Sequence, residues 1–405
     1  MRSTLRRVLE IFRWLRTAWL ILGVTLILIM ALELGLRAVF WLKDRSKPRI
    51  PPDPRVVATV PEGATWLDRH YRELEAISDR WQPYVYFRQR PFRGQTVTVD
   101  EEGLRTTWQP PRSRGETIQN PPALKILMLG GSSLWGFGAR DDQTIPSLVS
   151  KSLHQRGVRA DVKSLAEIGY VSTQEMIALI RELEQGYRPD VVVFYDGVND
   201  ATSALLERQA TVTTNETNRV REFNLRQSAP RLATVLMGNL VRNSAMFRLT
   251  SSLRDRFAKG QKQEFVLPTP EKAQRLANDV VRGYAANVKL TEALGKAYGF
   301  RPLFVWQPVI FFKNSLVTFE EEERAKYGWT AAMFQDLRTM IAQEKQLTSD
   351  PAFINLCEIF KGTKALVFLD FCHTTEEANA RIAGVLVTKL IETAKVGPGA
   401  PTSMH

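Results

Sequence analysis

The chain has 405 residues, 44% hydrophobic and 24% charged, which is enough apolar content for one large globular core with appendages. Its net charge is +12, but Arg2, Arg6, Arg7, Arg13 and Arg16 against Glu10 put +4 of it in the first 16 residues. The +8 left for the remainder is too little for a nucleic-acid partner, and the only two cysteines, Cys357 and Cys372, match neither a zinc spacing nor a CxxC motif, so no metal or other cofactor is expected.

Ala18 to Leu32 holds fifteen residues without a charge, and Glu33 to Phe40 adds the length needed to span a bilayer. The basic segment 1–16 then stays cytoplasmic and residues 17–40 form an uncleaved signal anchor, with the body of the protein periplasmic or extracellular. A cleavable signal peptide is less consistent, because Met30 to Gly35 offers no small-x-small site. A buried core helix fits poorly with the arginine-rich flank. Residues 41–83 read as linker and pre-domain, with the extended stretch PRIPPDP at 48–54. The aromatic and alternating segments YVYFRQ and QTVTVDEEGLRTTW predict a small strand-rich subdomain over 84–120, whose glutamates and arginines read as a solvated face.

The main domain is organised around Leu124 to Gly138, LKILMLGGSSLWGFG. The apolar run Ile126 to Leu129 is too short for a buried helix and stops at two glycines, so it predicts a buried parallel strand with Ser132 or Ser133 at its carboxyl edge, where α/β folds build their sites. A phosphate-binding P-loop would need Gly-Lys-Ser/Thr, and no lysine occurs between Lys125 and Lys151. Gly131, Gly136 and Gly138 do not fit a dinucleotide fingerprint either, which leaves an ordinary strand-to-helix turn as the plain alternative.

Helical spacing of Ile145, Leu148, Val149 and Leu153, a strand over Val158 to Leu165, a capping box of Ser172 and Glu175 ahead of Met176, Leu179, Ile180 and Leu183, and the strand Val191 to Tyr195 continue an alternating pattern. An insertion over 201–267 interrupts it as a lid or binding loop. A long helix from about Pro270, strands at Leu303 to Trp306 and Phe353 to Leu356, and a closing helix through Ala378, Ile382, Val385 and Leu390 complete an α/β domain over 121–396, followed by a frayed tail at 397–405. The predicted fold class is a three-layer α/β/α arrangement around a parallel, flavodoxin-like sheet, preceded by an N-terminal transmembrane helix.

The strand ends carry Asp196-Gly197-Val198-Asn199-Asp200 and Asp370-Phe371-Cys372-His373. A serine, an asparagine amide, an aspartate and a histidine are what acyl transfer needs. Of the other histidines, His70 precedes the domain, His154 ends a helix and His405 is terminal, so His373 is the candidate base.

On these residues the chain resembles the SGNH/GDSL hydrolase superfamily, in particular its membrane-anchored bacterial branch. The resemblance covers about Leu124 to Ala394. Its first block is Gly130-Gly131-Ser132-Ser133-Leu134-Trp135-Gly136, with Gly131 where an aspartate is usual. Ser164-Leu165-Ala166-Glu167-Ile168-Gly169 stands for the second, with Ser164 where asparagine is common, Gly197-Val198-Asn199-Asp200 for the third, and Asp370 with His373 for the last. The resemblance implies Ser132 as nucleophile, His373 as base, Asp370 as its orienter, and the Ser132 and Gly169 N–H groups with the Asn199 amide as oxyanion donors. Ser133 is then a turn or helix-cap hydroxyl and Asp200 holds the Asn199 loop. The implied activity is ester hydrolysis, on O-acyl groups of envelope glycans or on lipids. An O-acyltransferase on an exported polysaccharide and a non-catalytic, membrane-tethered glycan-binding or scaffold module are the alternatives. Cys357 and Cys372 are either bridged or two buried thiols.

Overall fold

A computed structural model describes residues 2–46, 65–111, 123–225, 229–257 and 268–395. The linker PRIPPDP, residues 112–120 of the expected strand-rich segment and the tail 397–405 lie outside the described residues. Two compact units divide the chain, one of residues 1–51 with 218–266, the other of 52–217 with 267–405.

In chain order the first element is α1 (Arg2–Ser46), whose segment Arg13–Lys43 is, among the described residues, the one helix long and apolar enough to cross a membrane. Next come α2 (Thr65–Ala76) and the short antiparallel pairs β1 (Asp79–Gln82) with β2 (Tyr86–Gln89) and β3 (Phe92–Arg93) with β4 (Thr98–Val99). The alternating part then runs β5 (Leu124–Gly130), α3 (Ser132–Trp135), α4 (Ile145–Gln155), β6 (Ala160–Ser164), α5 (Ser172–Glu184), β7 (Val191–Asp196) and α6 (Val198–Glu207). Helices α7 (Glu216–Leu225), α8 (Ala229–Arg242) and α9 (Ala245–Phe257) precede α10 (Pro270–Tyr298) and β8 (Arg301–Trp306). The chain closes with α11 (Thr318–Lys326), α12 (Ala331–Gln343), α13 (Lys345–Thr348), β9 (Phe353–Asn355) and α14 (Glu376–Lys395).

Strands β5 to β9 form one parallel sheet in the order β6-β5-β7-β8-β9, which is 2-1-3-4-5 by first appearance and therefore the flavodoxin-like, doubly wound order. Side chains alternate across each strand. Leu127, Leu129, Val192, Phe194, Phe304 and Trp306 bury one face beneath α5, α6, α10 and α12, while Ile126, Met128, Val191, Val193 and Val305 bury the other beneath α4 and α14. Both faces being covered is why these strands read as unbroken apolar runs. The result is the expected three-layer α/β/α fold.

Three sequence expectations change. The insertion does not begin at Ala201, because Ala201, Ala204 and Leu205 of α6 are buried in the sheet's core; the separate unit takes up the chain only at 218. Ser172 does not cap α5. Val171 precedes the helix with extended backbone, its N–H donates to Gln174 Oε1 at 3.2 Å, and the Ser172 hydroxyl turns to Asp200 instead. Nor do the arginines of the strand-rich segment all form a solvated face, since Arg88 and Arg105 are buried.

Candidate active site

The end of β5 leads into a turn built for close approach. A β-carbon on Gly130 would meet the carbonyl oxygen of Tyr195 at 2.9 Å, so the strand can run beside β7 only as glycine. One helical turn comes next. The N–H groups of Gly136 and Phe137 both donate to Ser132 O at 3.0 Å, and Gly136 closes the turn with φ +96°, a conformation that glycine adopts freely. Arg105 holds this turn from below, donating through Nη1 to Trp135 O at 3.1 Å and Gly136 O at 2.6 Å, through Nη2 to Ala139 O at 2.5 Å, and through Nε to Asp141 at 3.0 Å. Arg105 is bridged to buried Val99 and is itself buried, a placement that nothing in the sequence marks.

Asp370 and His373 sit at the tip of a tight excursion. Leu369 N–H donates to His373 O at 2.8 Å and Thr375 N–H to Val367 O at 2.8 Å, while Glu320, ion-paired with buried Lys313, accepts the N–H groups of Val367 and Phe368 at 3.0 and 3.1 Å. Asp370 Oδ1 accepts from the N–H groups of Cys372 at 2.9 Å and His373 at 2.8 Å, and Oδ2 lies 2.6 Å from His373 Nδ1. Burial works against the carboxylate's charge, but the His373 imidazole and these hydrogen bonds outweigh it and hold Asp370 down at about 2. On the other side of the ring, His373 Nε2 lies 2.7 Å from Ser132 Oγ. The Phe137 ring packs on the imidazole with centroids 4.4 Å apart, a contact the sequence does not announce.

Gly169 and Asn199 arrive from the next two strand ends. The loop after β6 is pinned to β5 by Leu165 N–H to Met128 O at 2.8 Å and Glu167 N–H to Gly130 O at 3.0 Å, and Gly169 turns it with φ +83°. Asn199 Nδ2 donates to Tyr170 O at 2.7 Å, drawing the two loops together. Asp200 accepts from the N–H and hydroxyl of Ser172, the latter at 2.6 Å, which ties the Asn199 turn to the start of α5. Ser133 is no helix cap. Its hydroxyl lies 3.4 Å from Cys372 O and accepts from Gln307 Nε2 at 3.2 Å.

Several buried acids surround this frame. Burial raises Glu167 to about 7 against the opposing charge of Arg88. Beneath the Asn199 turn, Glu175, Asp196 and Asp200 are all buried; desolvation pushes Asp196 up to about 8 and Glu175 well above the usual carboxylate range, so these groups hold protons where ordinary acids would not. Cys357 and Cys372 are free, buried thiols, and burial pushes both upward, Cys357 to about 12. Ligand atoms of Asp370, Cys372 and His373 lie within 4.8 Å of one another. A thiol held protonated is a poor metal ligand, and the carboxylate and imidazole are already joined to each other. Of the remaining histidines, buried His70 bonds Thr96 and His154 is exposed on α4.

No family model and no curated protein matches the sequence. Among solved structures the chain is similar to TesA, with 16% identity over 66% of this chain and 99% of that one at a TM-score of 0.31. It is also similar to the acetyl xylan esterase AlAXEase, with 12% identity over 65% and 98% at 0.35, and to a member of the lipolytic protein G-D-S-L family from Veillonella parvula DSM 2008, with 9% identity over 67% and 97% at 0.33.

Proposed function

We propose that the chain is a membrane-anchored serine esterase of the SGNH/GDSL kind. One observation carries the reading: Ser132, His373 and Asp370, the first two separated by 241 residues, join in an unbroken hydrogen-bonded line of 2.7 and 2.6 Å at the carboxyl edge of the sheet. His373 Nε2 takes the proton of Ser132 Oγ as the oxygen attacks an ester carbonyl. Asp370 stays ionised, fixes the Nδ1–H tautomer and stabilises the imidazolium. The developing oxyanion is received by the N–H groups of Ser132 and Gly169 and by the amide of Asn199, which has a second N–H beyond the one given to Tyr170. The leaving alcohol takes the proton back from His373, and water, activated by the same imidazole, releases the acyl group.

The arginine-flanked helix α1 supplies the anchor, with the N-terminus cytoplasmic and the α/β unit on the far side, where O-acyl groups of envelope glycans or lipids are the substrate class. The test is hydrolysis of short-chain p-nitrophenyl esters by the full chain. Turnover that Ser132→Ala abolishes supports the esterase; a folded wild-type chain without turnover returns the reading to a binding or scaffold module.

A further inference from the structure

The unit of residues 1–51 and 218–266 contains a contact with a specific logic. The charge-free run of α1 ends at Leu32, and Glu33 comes directly after it. Glu33 Oε1 accepts the N–H of Ala245 at 2.8 Å and Oε2 that of Met246 at 3.2 Å, while Ser244 Oγ accepts the N–H of Phe247 at 3.1 Å. The three orphan donors of the first turn of α9 are thus satisfied, two of them by a carboxylate placed at the positive end of the helix. Arg37 Nε donates to the same carboxylate at 2.8 Å, and the Arg248 guanidinium lies over the Phe40 ring at 4.3 Å.

These contacts fix a depth. At about 1.5 Å per residue, 18–32 spans about 22 Å of a hydrocarbon layer roughly 30 Å thick, so Glu33 to Phe40 stand near its edge. A carboxylate there is costly unless partnered, and the start of α9 is the partner. Helices α8 and α9 expose Val235, Met237, Val241, Phe247 and Leu249. Residues 218–266 also carry ten Lys and Arg against three Asp and Glu, which is +7 of the chain's +12.

We propose that α8 and α9 are a second membrane-contacting element, in which Glu33 holds the start of α9 at the bilayer edge, Met237 and Phe247 lie among the acyl chains, and Arg242 and Arg248 meet anionic lipid headgroups. An apolar face alone would suit a second protein copy equally well; the arginine excess beside a membrane helix selects the lipid surface. The inference rests on α1 being the anchor.

The full chain is reconstituted in vesicles of phosphatidylcholine and phosphatidylglycerol with brominated acyl chains, carrying an environment-sensitive fluorophore on Met237→Cys or Phe247→Cys. Leu28→Cys in α1 and Leu290→Cys, exposed on α10, serve as references. The expected result is quenching at 237 and 247 comparable to that at 28, with 290 unquenched. Quenching at 28 with none at 237 and 247 overturns the second contact and leaves the anchor standing. Absence of quenching at 28 overturns the anchor and the inference with it. Equal quenching at 237 and 247 in purely phosphatidylcholine vesicles overturns the selection of anionic headgroups.

Discussion

The side-chain amide of Asn199 occupies the space that a β-carbon on Gly131 would fill. The residue before the candidate nucleophile and the candidate oxyanion donor are therefore fitted to each other, and glycine at 131, where the resembled family usually has aspartate, is what lets the amide approach. Gly131→Ala should push Asn199 away and lower kcat toward p-nitrophenyl acetate about 100-fold, the scale of losing one oxyanion donor. Asn199→Ala should cost a similar factor, and the double variant little more than either, because both remove the same group. Full activity in Gly131→Ala would show that the amide takes no part.

Ser133 lies beside the candidate nucleophile but its hydroxyl is engaged by Gln307 and by Cys372. Ser133→Ala should keep most of the activity and lose about 1 kcal/mol of stability, the worth of an ordinary hydrogen bond. Urea denaturation with parallel kinetics checks both halves. A loss of turnover as complete as in Ser132→Ala, with the fold intact, contradicts the role given to each serine.

Arg105 contributes one guanidinium to three carbonyls of the serine turn. Arg105→Met strips Trp135 O and Ala139 O of their guanidinium bonds at about 1–3 kcal/mol each, while Gly136 O keeps the N–H of Ala139, so a destabilisation of roughly 2 kcal/mol or more is expected. Where the variant still folds, turnover should fall more than substrate binding, because a displaced Ser132 Oγ no longer meets His373. Unchanged melting and kinetics would make the arginine a passenger.

The layered fold was legible because a doubly covered parallel sheet writes its strands as short apolar runs, and the candidates Ser132, Gly169 and Asn199 each follow such a strand within a few residues, whereas Asp370 and His373 come only after the long excursion beyond β9. The support beneath the site was not legible. Arg105 and Arg88 look like ordinary charges in an alternating segment, and only the tertiary packing that buries them reveals otherwise. Ser172 with Glu175 mimicked a capping box because the spacing is the same, yet Asp200 takes the hydroxyl and Glu175 turns inward toward Asp196. Ala201, Ala204 and Leu205 are too weak a pattern to distinguish the core helix they form from the start of a loop. The cysteine alternatives, left open by spacing, resolve to two free buried thiols.

The buried acid cluster gives stability a pH dependence of definite sign. Asp196 is pushed up to about 8 from an ordinary value of 3.8, so between these the folded chain holds a proton that the unfolded chain has released. Stability from this group is fully present below 3.8 and is lost as pH rises toward 8. Asp196→Asn, with no proton to lose, should gain on the wild type in thermal melts as pH is raised from 5 to 8, by more than the roughly 1.4 kcal/mol that a tenfold change in proton affinity represents. A constant difference across that range would mean the carboxyl does not titrate differently on folding.

Ser132 Oγ is, on this reading, a nucleophile made reactive by His373 and Asp370. The most direct measurement of that reactivity is covalent labelling of the full chain with a fluorophosphonate and mass mapping of the modified peptide. A single stoichiometric adduct on Ser132 is expected, absent in Ser132→Ala and strongly slowed in His373→Ala and Asp370→Asn. A folded wild-type chain that takes up no label, or that carries it on Ser133 instead, would contradict the assignment.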